Sequence, residues 1–284
     1  MSDGLIKVVI LLFFFLTGCQ FKEETSAKGA PSFNKNQKIT NYDKLMWSTQ
    51  RLTASPIRLS ISSDFSDDER TQIMTMADQW DNIITDYKLF DFSTTATANK
   101  SFANIDDYYD GEMGVYKSYK WFTNIDSDVL AVTQYFTKIK NRGSASEYFE
   151  LIHADIIINY RDFSYSIDTK DSGISYDLPS VLLHELGHFL GLPHQNNYYV
   201  SSVMQPYMSI FINERSLYSY DVEAISSKYS EGADEDLPTI PKGEVTAHVR
   251  DYDDDLPIRG IIEMRANGEC RRYENGVLVD IEHN

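Results

Sequence analysis

The chain has 284 residues, enough to bury one sizeable core plus a small appendage, and its 42% hydrophobic and 13% aromatic content excludes a wholly disordered polymer. A formal net charge of −17 excludes a phosphate-backbone binder, because an acidic surface repels nucleic acid. The acidity otherwise reads as a well-solvated surface.

At the N-terminus Lys7 precedes an apolar run, Val8 to Leu16, too short for a membrane span of about 20 residues but suited to an export signal. Leu16-Thr17-Gly18-Cys19 resembles the lipobox of bacterial lipoproteins. That resemblance implies removal of residues 1–18, a lipid on Cys19, and anchoring to a membrane of the cell envelope outside the cytoplasm. Residues 19–46 are mostly polar, with Gly and Pro and no apolar period, and read as a flexible tether. Cys270 is the only other cysteine, so it has no intramolecular disulfide partner once Cys19 is acylated, and it reads as a small residue in a strand.

Ile57, Leu59 and Ile61 alternate in a half-buried strand. Ser66 and Glu69 form a capping-box pattern, and Ile73, Met76, Ala77, Trp80 and Ile83 follow at helical spacing. Residues 85–128, rich in Tyr, Asp, Asn and Ser, give no clear element. Asp128 to Phe136 and Glu150 to Asn159 carry the branched and aromatic residues of buried strands. A helix is predicted from about Pro179 to Leu190, ending before Gly191, and another over Tyr220 to Tyr229. Beyond an acidic, Pro-containing linker come strand-like runs around residues 245–249, 261–265, 270–273 and 277–281. Asn267-Gly268 and Asn275-Gly276 signal tight hairpins between the last three, giving a small β-meander over 233–284. The run Asp251 to Asp255 lacks the ligand spacing and turn glycine of a calcium loop and reads as a solvated turn.

The chemistry concentrates in "VLLHELGHFLGLPH", Val181 to His194. His184 and His188, four apart on a helix, project from one face and can reach one ion. Glu185 sits beside the metal without ligating it, where it can take a proton from water. Gly191 permits the chain to turn back, bringing His194 up as a third ligand. Three imidazoles leave a fourth position open on tetrahedral Zn2+, the arrangement of a catalytic rather than a closed structural site.

His184-Glu185-Leu186-Gly187-His188-Phe189-Leu190-Gly191-Leu192-Pro193-His194 matches the HExxHxxGxxH pattern of the metzincin metallopeptidases, which the chain resembles. "SSVMQPYMS" is similar to the family's methionine turn, with Met204 at the base of the site. The short path from His194 to one last helix looks most like matrixins and their small bacterial relatives, over roughly Trp47 to Gly232. The resemblance implies an α+β fold: a metzincin-like catalytic domain, 47–232, with a twisted mixed sheet and three helices, followed by the small β module. It implies one catalytic zinc, protein or peptide substrates, Pro206 and its neighbours lining a substrate pocket, Tyr207 as a wall, and Val129 to Tyr135 as an edge strand pairing with substrate backbone. Calcium is compatible with the resemblance, without residues to place it.

Gln195 stands where matrixins carry serine, leaving the subfamily open, and no cysteine lies between Cys19 and Trp47 to act as a propeptide switch. His153, His248 and His283 read as packed or surface histidines. The activity expected is zinc-dependent endopeptidase hydrolysis with Glu185 as base and then acid. The rival is a catalytically silent zinc-binding surface lipoprotein, a scaffold whose meander binds a partner.

Overall fold

A computed structural model describes residue 39 and residues 42–93, 95–168, 174–211, 213–230 and 256–283. The export signal, Cys19, the linker with His248 and Asp251 to Asp255, and the strand expected at 245–249 lie outside the described residues, as does the side chain of His283. Among the described residues no helix is long and apolar enough to cross a membrane.

The end of the expected tether is part of the fold. A 3-10 turn, Tyr42–Lys44, leads into β1 (Leu45–Met46), which pairs in parallel with β6 (Tyr148–Asn159). Leu45 and Met46 are buried, so this short apolar pair is drawn into the core. Next come α1 (Thr49–Ala54), capped by Ser48, and β2 (Ile57–Ile61). Helix α2 (Asp67–Asp81) opens with the capping box foreseen: Glu69 N–H donates to Ser66 Oγ at 3.3 Å and Ser66 N–H to Glu69 Oε2 at 2.7 Å. The chain continues through β3 (Phe90–Phe92), a 3-10 turn at Ile105–Tyr108, β4 (Gly114–Ser118), β5 (Val129–Lys140) and β6. The short strands β7 (Tyr165–Ser166) and β8 (Tyr176–Asp177) form a separate two-stranded sheet. Helices α3 (Leu178–Phe189) and α4 (Ser219–Tyr229) precede β9 (Ile258–Arg265), β10 (Glu269–Glu274) and β11 (Val277–His283).

The main sheet has nine strands and mixed direction: the path runs β11-β10-β9-β5-β6-β4-β2-β3, with β1 branching onto β6. The pairs β4–β6, β2–β4 and β2–β3 are parallel; those from β6 through β5 and β9 to β11 are antiparallel. The α+β class and the meander are as expected. Four helices replace the expected three, because α1 carries one buried residue, Leu52, and no apolar stripe that a sequence pattern could register.

The expectation of Val129 to Tyr135 as an open edge is corrected. β9 pairs along β5 from Val129 opposite Arg265 to Thr137 opposite Ile258, so the meander continues the main sheet. Asn275 and Gly276, at φ of 50° and 80°, make the tight two-residue turn between β10 and β11.

Both faces of the sheet are covered. On one, α2 and α3 pack Ile73, Trp80, Leu186 and Phe189 against Leu59, Leu130, Ile156 and Ile262. On the other, Tyr108, Trp121, Phe122 and Ile125, from the stretch the sequence left unassigned, cover Val132, Ile157 and Ile261. Burial on both faces explains why residues 129–132 of β5 and 156–158 of β6 are continuously apolar rather than alternating.

Helix α3 is buried along its whole length, so its terminal polar groups need partners inside the protein. Asp177 accepts from Ser180 N–H at 3.0 Å and caps its start. At its end the Trp47 indole N–H donates to Phe189 O at 2.9 Å, and the Tyr229 hydroxyl donates to Leu190 O at 2.8 Å while accepting from Trp47 N–H at 3.0 Å. Tyr229→Phe strands two buried backbone groups at once. It is expected to cost about 1–3 kcal/mol, lowering the melting temperature by about 2–8 °C in a calorimetric scan.

Candidate metal and active site

The helical spacing brings the His184 and His188 rings to 4.6 Å between centroids. Gly191, at φ 81°, then ends the helix: Gly191 N–H donates to His188 O at 2.8 Å and Leu192 N–H to Gly187 O at 2.9 Å, the bond pattern of a glycine-terminated helix. A β-carbon at this position would also collide with the Leu45 carbonyl, so glycine is required by conformation and by space. The reversed chain carries His194 to 4.4 Å from the His188 ring and 5.2 Å from that of His184. All three histidines predicted to share an ion are therefore brought together.

Each imidazole is held by the same atom. Nδ1 of His184 donates to Val203 O at 2.8 Å, Nδ1 of His188 donates to Leu192 O at 2.9 Å, and Nδ1 of His194 is paired with the Glu282 carboxylate. Because carbonyl and carboxylate oxygens only accept, Nδ1 carries the proton and Nε2 offers a lone pair. The lone pairs converge: Nε2 of His188 lies 2.8 Å from Nε2 of His194, and Nε2 of His184 is buried without a hydrogen-bond partner. Neutral acceptors facing one another in a dry interior fit a cation between them. Burial and the neighbouring imidazoles push the pKa of His184 down to about 3 and that of His188 well below its ordinary value, keeping both in the neutral form a metal ligand needs.

Glu185 is buried beside this point. Its Oε2 accepts from the Thr133 hydroxyl on β5, its Oε1 has no hydrogen-bond partner, and burial raises its pKa to about 8. Thr133 was not foreseen, because its partner lies 52 residues further along the chain and nothing local marks it.

The methionine turn lies against α3. A side chain at Gly187 would collide with Met204 Sδ, so the buried Met204 and Gly187 fit one another. Gln195 N–H donates to Met204 O at 2.8 Å, tying the segment after the third histidine to the same turn. Asp221 of α4 braces the turn from below, accepting from Ser202 Oγ at 2.5 Å, Val203 N–H at 3.1 Å and Tyr218 N–H at 2.9 Å. Asp221 thereby steadies the carbonyl that orients His184, a role its place in the first helical turn did not reveal. Pro206 is buried, and Tyr207, 39% exposed, lines a cleft with Ser180, Val203, Gln205 and Tyr218.

Two further side chains enter from the meander. Cys270 has its Sγ within 4.8 Å of ligand nitrogens of His184 and His194, a set of three side chains that could share an ion and that does not include His188. Cys270 is the buried strand residue expected, in β10, and its approach to the histidines is what the sequence did not indicate. Glu282, on β11, holds His194. A cavity beside His188 and His194 is walled by Tyr42, Pro193, Ile262, Cys270, Arg272 and Glu282. Among the described residues no group of three or more Asp or Glu side chains converges on one point, and no residues are assigned to calcium. His153 is buried edge-on against the stacked rings of Tyr109 and Phe136 and bonded to Asp155 and the Tyr108 carbonyl, a packed histidine with no part in this site.

Gly187→Ala forces Met204 out of its seat. The expected result is an overpacking loss of about 1–3 kcal/mol in chemical denaturation, with weaker zinc retention in a chelator competition.

A comparison with curated proteins finds no match to the chain. Residues 47–230 match the sequence profile of the matrixin family, covering α1 through α4 and all three histidines. The chain therefore belongs to the matrixin family of zinc-dependent metallopeptidases.

Proposed function

We propose that the protein is a zinc endopeptidase in which His184, His188 and His194 hold the metal through Nε2 and Glu185 moves the proton. The observation that carries this reading is the packing of three imidazole rings with centroids within 5.2 Å of one another, each fixed through Nδ1, beside a buried carboxylate with one unpartnered oxygen. Zinc bound there supplies a Lewis acid that activates water and stabilises the developing oxyanion. Glu185 takes the water proton as its oxygen attacks the peptide carbonyl and returns that proton to the departing amine. Burial alone raises the Glu185 pKa, and a cation held by the neighbouring histidines would favour the ionised carboxylate that a base requires. Thr133, hydrogen-bonded to Oε2, leaves Oε1 to face the reacting water. Pro206 and Tyr207 are assigned to the pocket for the substrate side chain after the scissile bond.

A silent zinc scaffold draws support from one observation, the Cys270 sulfur close enough to close the metal site. The unpartnered Glu185 Oε1 weighs against it, since a purely structural site has no use for a buried carboxylate in that place. By its lipobox the protein is assigned to the cell envelope, anchored through Cys19. Cys19→Ser is expected to abolish fatty-acid labelling and move the protein to the soluble fraction.

The catalytic assignment is tested with Glu185→Ala in a peptide-library assay. One equivalent of zinc should remain by metal analysis while cleavage slows by about 10²–10⁴-fold, the usual contribution of a positioned acid–base group. Undiminished cleavage sinks the assignment, and zinc at one equivalent with no cleavage either by the intact chain or by one whose C-terminal meander is displaced selects the scaffold.

A further inference from the structure

The resemblance implied that β5 offers its outer edge to substrate backbone, yet that edge is filled. β9 runs antiparallel along it, placing Ile262 opposite Thr133, the residue that holds Glu185. The fit is specific: Gly260 lies opposite Tyr135, and any β-carbon there would run into the tyrosine ring. At the far end, Arg265 Nη1 reaches Asp128 at 2.8 Å and its Nη2 reaches Asp126 at 2.6 Å, fastening β9 to the loop that enters β5.

The meander also turns back into the metal site. Cys270 on β10 and Glu282 on β11 are direct register partners, and these adjacent strands each deliver one side chain to the histidines. The Cys270 sulfur lies by the ligand nitrogens of His184 and His194, and the Glu282 carboxylate holds Nδ1 of His194. The buried, unpartnered Nε2 of His184 marks where an ion would be bound between them.

We propose that the C-terminal meander is a built-in inhibitor: β9 occupies the substrate edge of β5, and Cys270 supplies a fourth, thiolate ligand to the zinc. The proposal rests on the zinc-peptidase reading. As the sulfur–zinc bond forms, the thiol proton passes to solvent and the water that would fill the fourth position leaves, converting an open three-histidine site to a closed tetrahedral one. The chain as described is then the latent form, and activity requires the meander to be displaced.

The test uses the full chain with cobalt(II) in place of zinc. The unaltered protein should show a near-ultraviolet thiolate-to-cobalt charge-transfer band that Cys270→Ser lacks; identical spectra overturn the ligand assignment. Gly260→Val drives β9 against Tyr135 and should weaken that band, speed alkylation of Cys270 and raise peptide cleavage by about tenfold or more, because activity follows the competent fraction. A folded Gly260→Val protein, checked by circular dichroism, that cleaves no faster than the unaltered chain overturns the inhibitor. Should Gly260→Val fail to fold, alkylation of the unaltered chain decides: Cys270 must react slowly with zinc bound and rapidly after chelation, and equal rates overturn the proposal. The two readings fail separately. Cleavage by intact and displaced chains alike, lost in Glu185→Ala, upholds the peptidase and overturns the inhibitor. A thiolate band with no cleavage by either chain overturns the peptidase reading and the inhibitor with it.

Discussion

Three imidazoles aimed at one point in an apolar interior constrain everything built around them. Each Nδ1 proton must find an acceptor, because an unpaired buried donor costs roughly 1–3 kcal/mol. The acceptors found are Val203 O, Leu192 O and the Glu282 carboxylate, drawn from three different segments. The need to hold those acceptors still explains the surrounding architecture. Leu192 is set by the glycine turn at Gly191, and Val203 by the buried Asp221 at the head of α4. Met204 is set by the missing side chain at Gly187. What remains unbalanced is the cluster of Nε2 lone pairs, and a divalent cation is the partner that offsets it.

The same logic separates what the sequence could reveal from what it could not. His184, Glu185, His188, Gly191 and His194 are legible because a helix and a single glycine turn place them by local spacing alone. Met204 is legible because its turn follows closely along the chain. The buried runs of β5 and β6 announce strands, since both faces of that sheet are covered. The cover on the second face was hidden: Tyr108, Trp121 and Phe122 lie in a stretch of Tyr, Asp and Asn with no helical or strand period, and they pack through a 3-10 turn and loops. Thr133, Cys270 and Glu282 were hidden for a different reason. Their approach to the histidines depends on which strands pair and in which register, and no local pattern encodes pairing across so long a separation. The expectation of an open β5 edge failed on the same point, because β9 lies far away in sequence and its docking is a tertiary choice.

An open strand edge is both a tool and a hazard. Its unpaired N–H and C=O groups can capture an extended substrate, and they can equally capture another chain and aggregate. Covering β5 with a strand of the same chain removes that hazard and leaves no edge there for an extended peptide. Because Ile262 and Met264 join the core on one face of the sheet and Ile261 joins it on the other, β9 is held by side chains as well as by backbone bonds. A substrate peptide can replace the backbone bonds but not that burial, so competition by substrate alone is weak and displacement calls for an added perturbation of the meander.

The covering strand and the metal-approaching residues belong to one antiparallel unit. Only Ala266, Asn267 and Gly268 separate β9 from β10, and the register runs without a shift from Cys270 opposite Met264 to Glu274 opposite Gly260. A unit so tightly joined leaves or stays as a whole. If β9 parts from β5, Cys270 is carried away from the histidines, and if sulfur binds the ion, β9 is drawn more firmly onto the edge. The linkage is reciprocal: whatever free energy the metal contributes through sulfur strengthens the strand pairing, and the strand pairing strengthens the sulfur's hold on the metal by the same amount. On the proposed latency, edge and sulfur ligand are governed by one equilibrium, with the close contact of Gly260 on Tyr135 at its centre.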